Sequence, residues 1–418
     1  IVILWEGGGQ FPGRIDFSGK HIGNGIAGVN AAEVIRKTDP GGEIVMIADE
    51  AFPPYSRPMI SHVLDGSQPH EKLPLHSEDI YKTLDITPVL GARVTALDVD
   101  NRSVRLADDT QIDFDRLLIA SGADARKLKA GGMELENIFY MRTEAHVRQQ
   151  LTAIDGASQG LVLGGGLVGF KAAYGLLKRG LKVTMLITSG YPLSMQVDEV
   201  AGRMIMSELL AHGLTVRVGV SVTGFDGNGR VARAVLDNGE QLPCDLVIIG
   251  KGVLPAPDFI PRDRITFDLG IVVDDCLQSS VPGIYAAGDT AEAIDIARQT
   301  RWVNAIWPEA AAQGRVAGLN MAGRRVRYPG SLSRNVMRVY DLDVMTVGYA
   351  NPGKDEGFRQ VSTGGENQGY YRSLGFRDDI LVGAVLINRI EQGGVLRALI
   401  ENRIPVRVPA RIPVPRLP

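Results

Sequence analysis

Two glycine clusters carry the chemistry that this chain is equipped to do. The stretch Ile22-Gly23-Asn24-Gly25-Ile26-Ala27-Gly28 has the spacing G-x-G-x-x-G, and a second copy, Gly164-Gly165-Gly166-Leu167-Val168-Gly169, begins 141 positions later (164 minus 23). In such a loop the first glycine permits a tight strand-to-helix turn, the second lets the backbone approach a pyrophosphate, and the third lets the following helix pack close to its strand. Phosphate oxygens then rest on free N–H groups at the helix N-terminus.

One such loop is weak support in a chain with 50 glycines. Here each loop is followed by an amphipathic helix and then an apolar strand, Glu43 to Ala48 after the first and Lys182 to Ile187 after the second. Two dinucleotide loops imply two dinucleotides, and a flavin (FAD) with a nicotinamide dinucleotide is the economical pair. At the close of the first of those strands Asp49, with Glu50 in reserve, is placed to accept from adenosine ribose hydroxyls; a pair of solvated turn acids is the alternative. After the second strand the run Ile187-Thr188-Ser189 carries neither the acid of an NAD site nor the cation of a 2′-phosphate site. NADH is the expected donor and NADPH the alternative.

Composition narrows the class. A chain of 418 residues, 44% apolar and 22% charged, needs two or three cores. Its net charge of −3 gives no electrostatic reason to expect nucleic acid or an anionic membrane. No apolar run reaches the roughly 18 residues of a membrane span, and the opening Ile1-Val2-Ile3-Leu4 lacks the basic flank of a signal peptide, so a cytoplasmic protein is expected. The two cysteines, Cys244 and Cys276, fall in no C-x-x-C pair and are too few for an iron–sulfur cluster. Both read as inert, and no metal site is expected.

The elements that must position these residues follow the α/β pattern of two Rossmann-like units plus a C-terminal α+β unit. The expected division is an FAD-binding domain over 1–122 and 245–328, an NAD(P)H-binding domain over 123–244, a C-terminal domain over 329–405 and a Pro/Arg-rich tail over 406–418. Residues 1–20 fit badly, because the apolar run at positions 1–4 stands far ahead of the first glycine loop. Residues 88–119 alternate as a β-meander, and Leu246 to Val253 reads as a buried strand of the FAD unit entering a turn at Lys251 and Gly252, both taken as cofactor contacts.

A family resemblance rests on particular motifs. Pro53-Pro54-Tyr55-Ser56-Arg57-Pro58 resembles the P-x-Y-x-R-P segment of the FAD-dependent pyridine nucleotide oxidoreductases, in the branch of the NADH:rubredoxin and NADH:ferredoxin-type reductases. Ala120-Ser121-Gly122 is similar to the family's A-T-G segment, and Val281 to Asp289 to its second FAD fingerprint. The resemblance implies that Arg57 and Pro58 run beneath the flavin and its pyrophosphate, that Val94 meets the adenine, and that Gly288 and Asp289 receive the ribityl chain. It also implies that the helix opening at Trp307-Pro308-Glu309-Ala310 aims its N-terminus at the flavin pyrimidine, with main-chain N–H groups of Glu309 to Ala311 as donors. Trp307 either walls the ring or packs in a core.

Where relatives place a Lys and a Glu beside the flavin, this chain has His62 and Lys171. A cation there suits an anionic reduced flavin; surface positions for both are the alternative. Relatives that reduce peroxide or disulfides carry a redox cysteine near position 62, and this chain has Ser61-His62. The resemblance therefore implies an FAD-dependent NAD(P)H:acceptor oxidoreductase that passes single electrons to a rubredoxin, ferredoxin or iron–sulfur subunit, as an oligomer or part of a larger complex. The alternatives are an NADH oxidase or peroxidase, and a non-turnover NADH sensor like the apoptosis-inducing-factor relatives.

Overall fold

Alternating apolar strands and amphipathic helices build two α/β units and one antiparallel unit, seen here in a computed structural model that describes residues 2–5, 25–76, 79–255, 258–353 and 357–406. The first sheet has the order Ile284–Ala286, Arg116–Ile119, Val2–Trp5, Glu43–Ala48, Ile86–Leu90. Its strands Glu43–Ala48 and Arg116–Ile119 are buried on both faces, as near-continuous apolar runs such as Ile44 to Ala48 demand.

The misfit of the first twenty residues has a structural counterpart. Val2–Trp5 fills the centre of this sheet but runs antiparallel to both neighbours. The strand before the glycine loop therefore points away from it, and residues 6–24, which include Gly23, lie outside the described residues.

Gly25 caps the helix Ile26–Thr38, here called the first cradle helix. It lies against the helix Trp307–Met321, here the flanking helix, at backbone distance. A Cβ on Gly314 would fall 2.1 Å from the Ala27 carbonyl oxygen, and one on Gly318 would fall 2.6 Å from that of Ala31. Alanines on one helix facing glycines on the other are what that approach requires.

The second sheet is parallel throughout, in the order Thr215–Val218, Lys182–Ile187, Gln159–Leu163, Leu246–Ile249, Ile138–Tyr140. This corrects one expectation: Leu246–Ile249 pairs inside the second sheet rather than returning to the first. An apolar run does not state which sheet it joins; hydrogen bonds to Gln159–Leu163 and Ile138–Tyr140 do. Of the expected meander, Val94–Asp98, Ser103–Leu106 and Gln111–Asp113 form their own antiparallel sheet, and Arg116–Ile119 enters the first sheet.

The C-terminal unit is a five-stranded antiparallel sheet backed by the helix Gly393–Glu401. One of its strands, Arg359–Gly365, carries three adjacent exposed residues near its end and gives no alternating signal in sequence. Asp198, the N-cap of the helix Glu199–Ala211, ties this unit to the second one. Its carboxylate accepts from Gln360 (2.7 Å) and from the Tyr371 hydroxyl (2.9 Å). Residues 407–418, most of the Pro/Arg-rich tail, lie outside the described residues. No helix among the described residues is long and apolar enough to cross a membrane.

Candidate active site

A cavity of about 760 Å³ opens between the three units. Its wall begins at Gly25, Ile26 and Ala27 of the first cradle helix, passes Asp49, Glu50, Arg57 and Pro58, and continues along Ala120, Ser121 and Gly122 to Gly288 and Asp289. Val94 closes one end; Trp307, Pro308 and Ala310 stand at the other with Leu167, Val168 and Lys171 from the second glycine loop's helix. Tertiary structure thus gathers residues 25 to 310 onto one surface.

Small residues make this wall. Gly288 has φ +82°, which strains any side chain, and a Cβ there would just touch those of Ala27 and Ala310 at 3.4 and 3.5 Å. Gly122, at φ +73°, turns the chain where it crosses toward the second unit. An FAD fits this donor set and shape: a glycine-capped helix start for phosphates, a free carboxylate at the ribose end, and a long slot of drug-to-cofactor volume. Asp49 is that free carboxylate, exposed on the cavity and without a bonded partner among the described residues. Glu50 is occupied, accepting from Arg57 (2.5 Å) and from the Tyr55 hydroxyl (2.7 Å). Burial pushes Tyr55 above its ordinary range, so the phenol stays protonated and donates.

Arg57 lines the cavity beside Pro58 and is held there by the protein itself. Two of its nitrogens are already bound, one to Glu50 and one to the Arg142 carbonyl oxygen at 2.8 Å. Its guanidinium stiffens the wall, and only its remaining donors are left to face the cavity.

Asp289 lines the cavity and accepts from Arg142 at 2.7 Å through one oxygen. Arg142 also donates to the Ala123 carbonyl (2.8 Å). Sequence reading missed this arginine. A signal was present: Ile138-Phe139-Tyr140-Met141-Arg142 is an apolar strand whose carboxyl end carries a cation just before the N-cap Thr143, and ligands bind at such strand ends. Gln313 was missed as well; its carbonyl accepts the Gly288 N–H at 2.7 Å and fixes the fingerprint turn.

At the far end the flanking helix offers fewer donors than expected. Pro308 has no N–H, and that of Ala310 is spent on the Ile306 carbonyl. Among the described residues the first-turn donors without an acceptor are the N–H groups of Trp307 and Glu309. The Glu309 side chain does not line the cavity; it is buried and accepts from Tyr328 and from Arg334 (2.6 Å), which anchors the C-terminal sheet to this helix. Trp307 is half-buried on the cavity wall rather than in the core.

His62 is not in this site. It lies on the solvent side of the helix Ile60–Asp65, with 47% of its side chain exposed, and Ser61 faces the cavity instead. The apolar positions Ile60, Val63 and Leu64 face inward and leave position 62 outside. Lys171 does line the cavity and has no bonded partner among the described residues. Burial pulls its ammonium below the ordinary lysine range, with Asp65 acting in the opposite direction.

The second loop is built from backbone contacts. Gly164, at φ +106°, would bring a Cβ to 2.5 Å from the Gly250 carbonyl, and a Cβ on Gly169 would fall 1.9 Å from the Gly164 carbonyl. Gly166 faces open space at the helix start. Lys251 and Gly252 follow Gly250 beside this loop, and Thr188 is exposed just beyond Lys182–Ile187. None of these three lines the first cavity; they lie on the side of the second nucleotide loop.

Neither cysteine lines the cavity. Burial pushes the Cys244 thiol up to about 12, and burial with the neighbouring Asp274 and Asp275 raises that of Cys276. Since the thiolate is the reactive form, native protein at pH 8 should react slowly with an aromatic disulfide reagent at the half-buried Cys276, and the buried Cys244 should appear only on denaturation. A fast-reacting thiol in the native protein would contradict this.

Comparisons with known proteins agree with this geometry. The family described as pyridine nucleotide-disulphide oxidoreductase matches residues 22–314, and that described as rubredoxin NAD+ reductase C-terminal domain matches residues 334–404. The chain is 31% identical over 389 residues to the NADH-dependent phenylglyoxylate dehydrogenase subunit epsilon of Aromatoleum evansii, covering 91% of this chain and 90% of that one. It is 30% identical over 272 residues to a rubredoxin-NAD(+) reductase of Pseudomonas putida, covering 65% and 71%. The solved covalent putidaredoxin reductase–putidaredoxin complex contains a chain of 26% identity that superposes with a TM-score of 0.84 over 92% of this chain and 93% of that one.

Proposed function

We propose, on the premise that this chain belongs to the pyridine nucleotide-disulphide oxidoreductase family, that it takes hydride from NADH and passes single electrons to an iron–sulfur protein. The observation that carries this reading is the shared cavity. The wall from Gly25 to Asp289 and the first turn of the second loop's helix, at Leu167 and Val168, open on the same space.

FAD, when bound, supplies a ring that accepts a hydride and gives its electrons up one at a time. Gly25 and the N-terminus behind it hold phosphate, Asp49 the ribose, and Asp289, oriented by Arg142, the ribityl chain. The Trp307 and Glu309 N–H groups and the Lys171 ammonium put positive charge at the reacting end before any negative charge arrives there, so little reorganisation is needed. Trp307 and Val168 keep water from that end. Gly166 and the backbone of the second loop set the nicotinamide dinucleotide in place, and placement supplies much of the rate.

No thiol lines the cavity, so electrons leave without a cysteine relay. The relatives named for rubredoxin and putidaredoxin support a small one-electron protein as the acceptor. The test reduces the protein anaerobically and then mixes it with either acceptor. NADH should bleach the flavin absorbance near 450 nm, and ferredoxin or rubredoxin should restore it at least about tenfold faster than dissolved oxygen does. Faster recovery with oxygen would favour an oxidase; no bleaching would remove the reading. In the same assay Lys171→Met should slow bleaching about tenfold, the factor that about 1.4 kcal/mol of lost charge stabilisation gives.

A further inference from the structure

The second glycine loop does not stand alone. The chain leaving the strand Lys182–Ile187 turns back over it, and the Leu193 N–H donates to the Gly165 carbonyl oxygen at 2.7 Å. A Cβ on Gly165 would lie 3.4 Å from Pro192 Cα, so the two backbones touch.

This contact has a directional consequence. The Gly165 carbonyl and the Gly166 N–H belong to one planar trans peptide and point to opposite sides of it. Fixing the carbonyl on Leu193 therefore aims the Gly166 N–H away from that loop. It points into open space at the start of the helix Leu167–Lys178 and has no acceptor among the described residues. Such an N–H is what a phosphate oxygen needs.

Residues 188–197 form no helix or strand, and Leu193 stands at φ +59°, a left-handed conformation that costs any residue with a side chain. What pins them comes from the C-terminal unit. Asn351 Nδ2 donates to the Ser194 carbonyl (2.6 Å) and to the Val197 carbonyl (2.8 Å), with the Tyr191 hydroxyl farther off at 3.4 Å. An amide NH2 has two hydrogens, and both go to the turn that follows Leu193. Asn351 itself stands on a fixed base: the Tyr349 N–H donates to the Val382 carbonyl at 2.8 Å, and a Cβ on Gly383 would fall 2.1 Å from the Tyr349 carbonyl oxygen.

We propose that Asn351 is a positioning residue for the nicotinamide dinucleotide, setting the affinity of the second loop from the C-terminal unit. This rests on the reading that the second loop holds NADH. By keeping residues 191–197 on Gly165, Asn351 keeps the Gly166 N–H aimed. Without its donors the Ser194 and Val197 carbonyls turn to water, Leu193 relaxes, and the Gly165–Gly166 peptide is free to rotate. NADH must then order the loop as it binds, which lowers affinity. The bound geometry is the same, so hydride transfer at saturation is unchanged.

The test uses Asn351→Leu, of similar size but without a donor, and Asn351→Asp, which sets a carboxylate against the two carbonyls. By isothermal titration calorimetry both oxidised holoproteins should bind NAD+ about tenfold more weakly than wild type, the loss of one or two net hydrogen bonds. Flavin content and the limiting rate of bleaching at saturating NADH should match wild type. In nucleotide-free holoprotein, hydrogen exchange at the Leu193 N–H should quicken about tenfold as its bond to Gly165 opens. Tyr371→Phe removes a different bond between the same two units, from its hydroxyl to Asp198 (2.9 Å), and should leave affinity and exchange unmoved. Wild-type affinity in both Asn351 variants, or an equal loss in Tyr371→Phe, would overturn the proposal. A wild-type holoprotein that binds no NAD+ would instead remove the reading beneath it.

Discussion

Gly314→Ala is expected to cost this protein its flavin and much of its stability, although alanine is the better helix former by about 1 kcal/mol. The added Cβ would sit 2.1 Å from the Ala27 carbonyl oxygen, with Ala27 Cα 2.8 Å away. That is backbone, which has no rotamer to give. The flanking helix must move off the first cradle helix, and overpacking of that kind typically costs about 1–3 kcal/mol and sometimes more. The loss therefore outweighs the gain in propensity.

The same shift reaches the cavity, because Ala27 and Ala310 both touch the space beside Gly288. Thermal melting should fall, and purified Gly314→Ala should carry well under half the flavin absorbance of wild type. Gly323→Ala is unsuitable as a control, since its φ of +82° would strain any side chain. Gly156→Ala, with nothing near its Cβ, should leave both readings unchanged. A fully yellow Gly314→Ala with an unchanged melting temperature would refute the helix contact.

Gly169→Ala should give the complementary result, a yellow protein that NADH reduces poorly. Its Cβ would fall 1.9 Å from the Gly164 carbonyl oxygen and 3.6 Å from Val162 Cγ1. Gly164 cannot retreat, because Gly250 stands behind it; a Cβ on Gly250 would in turn meet the Gly169 nitrogen at 2.5 Å. Three glycines in mutual contact leave the helix Leu167–Lys178 only outward movement.

That displacement opens the second loop and carries Leu167 and Val168 with it, while the wall from Gly25 to Asp289 is untouched. The apparent affinity for NADH should fall at least about a hundredfold, equivalent to roughly 2.7 kcal/mol, with flavin content near wild type. Titrating flavin bleaching against NADH concentration reads both at once. Loss of flavin in Gly169→Ala would mean that the two loops are not separate sites.

The two glycine loops, the Val281 to Asp289 strand and the P-x-Y-x-R-P segment were all legible in sequence, because each is a local solution to a local need. A turn that requires positive φ or close backbone approach admits glycine almost alone, so Gly164 and Gly288 announce themselves by residue type. The order of apolar strands and amphipathic helices likewise declared an α/β chain with two nucleotide units and an appended domain.

Tertiary structure decided the rest, for the reason that partners far apart in sequence have no periodic signature. It placed Leu246–Ile249 in the second sheet, Val2–Trp5 antiparallel in the first, and Glu309 against Tyr328 and Arg334 rather than the cavity. It turned His62 outward and Ser61 inward, a rotation that one residue of helical phase settles and a motif does not. It also joined Arg142 to Asp289 across 147 positions. The sequence alone determined which cofactors this protein is built to hold; only the packing of its helices and sheets determined which side chains reach them.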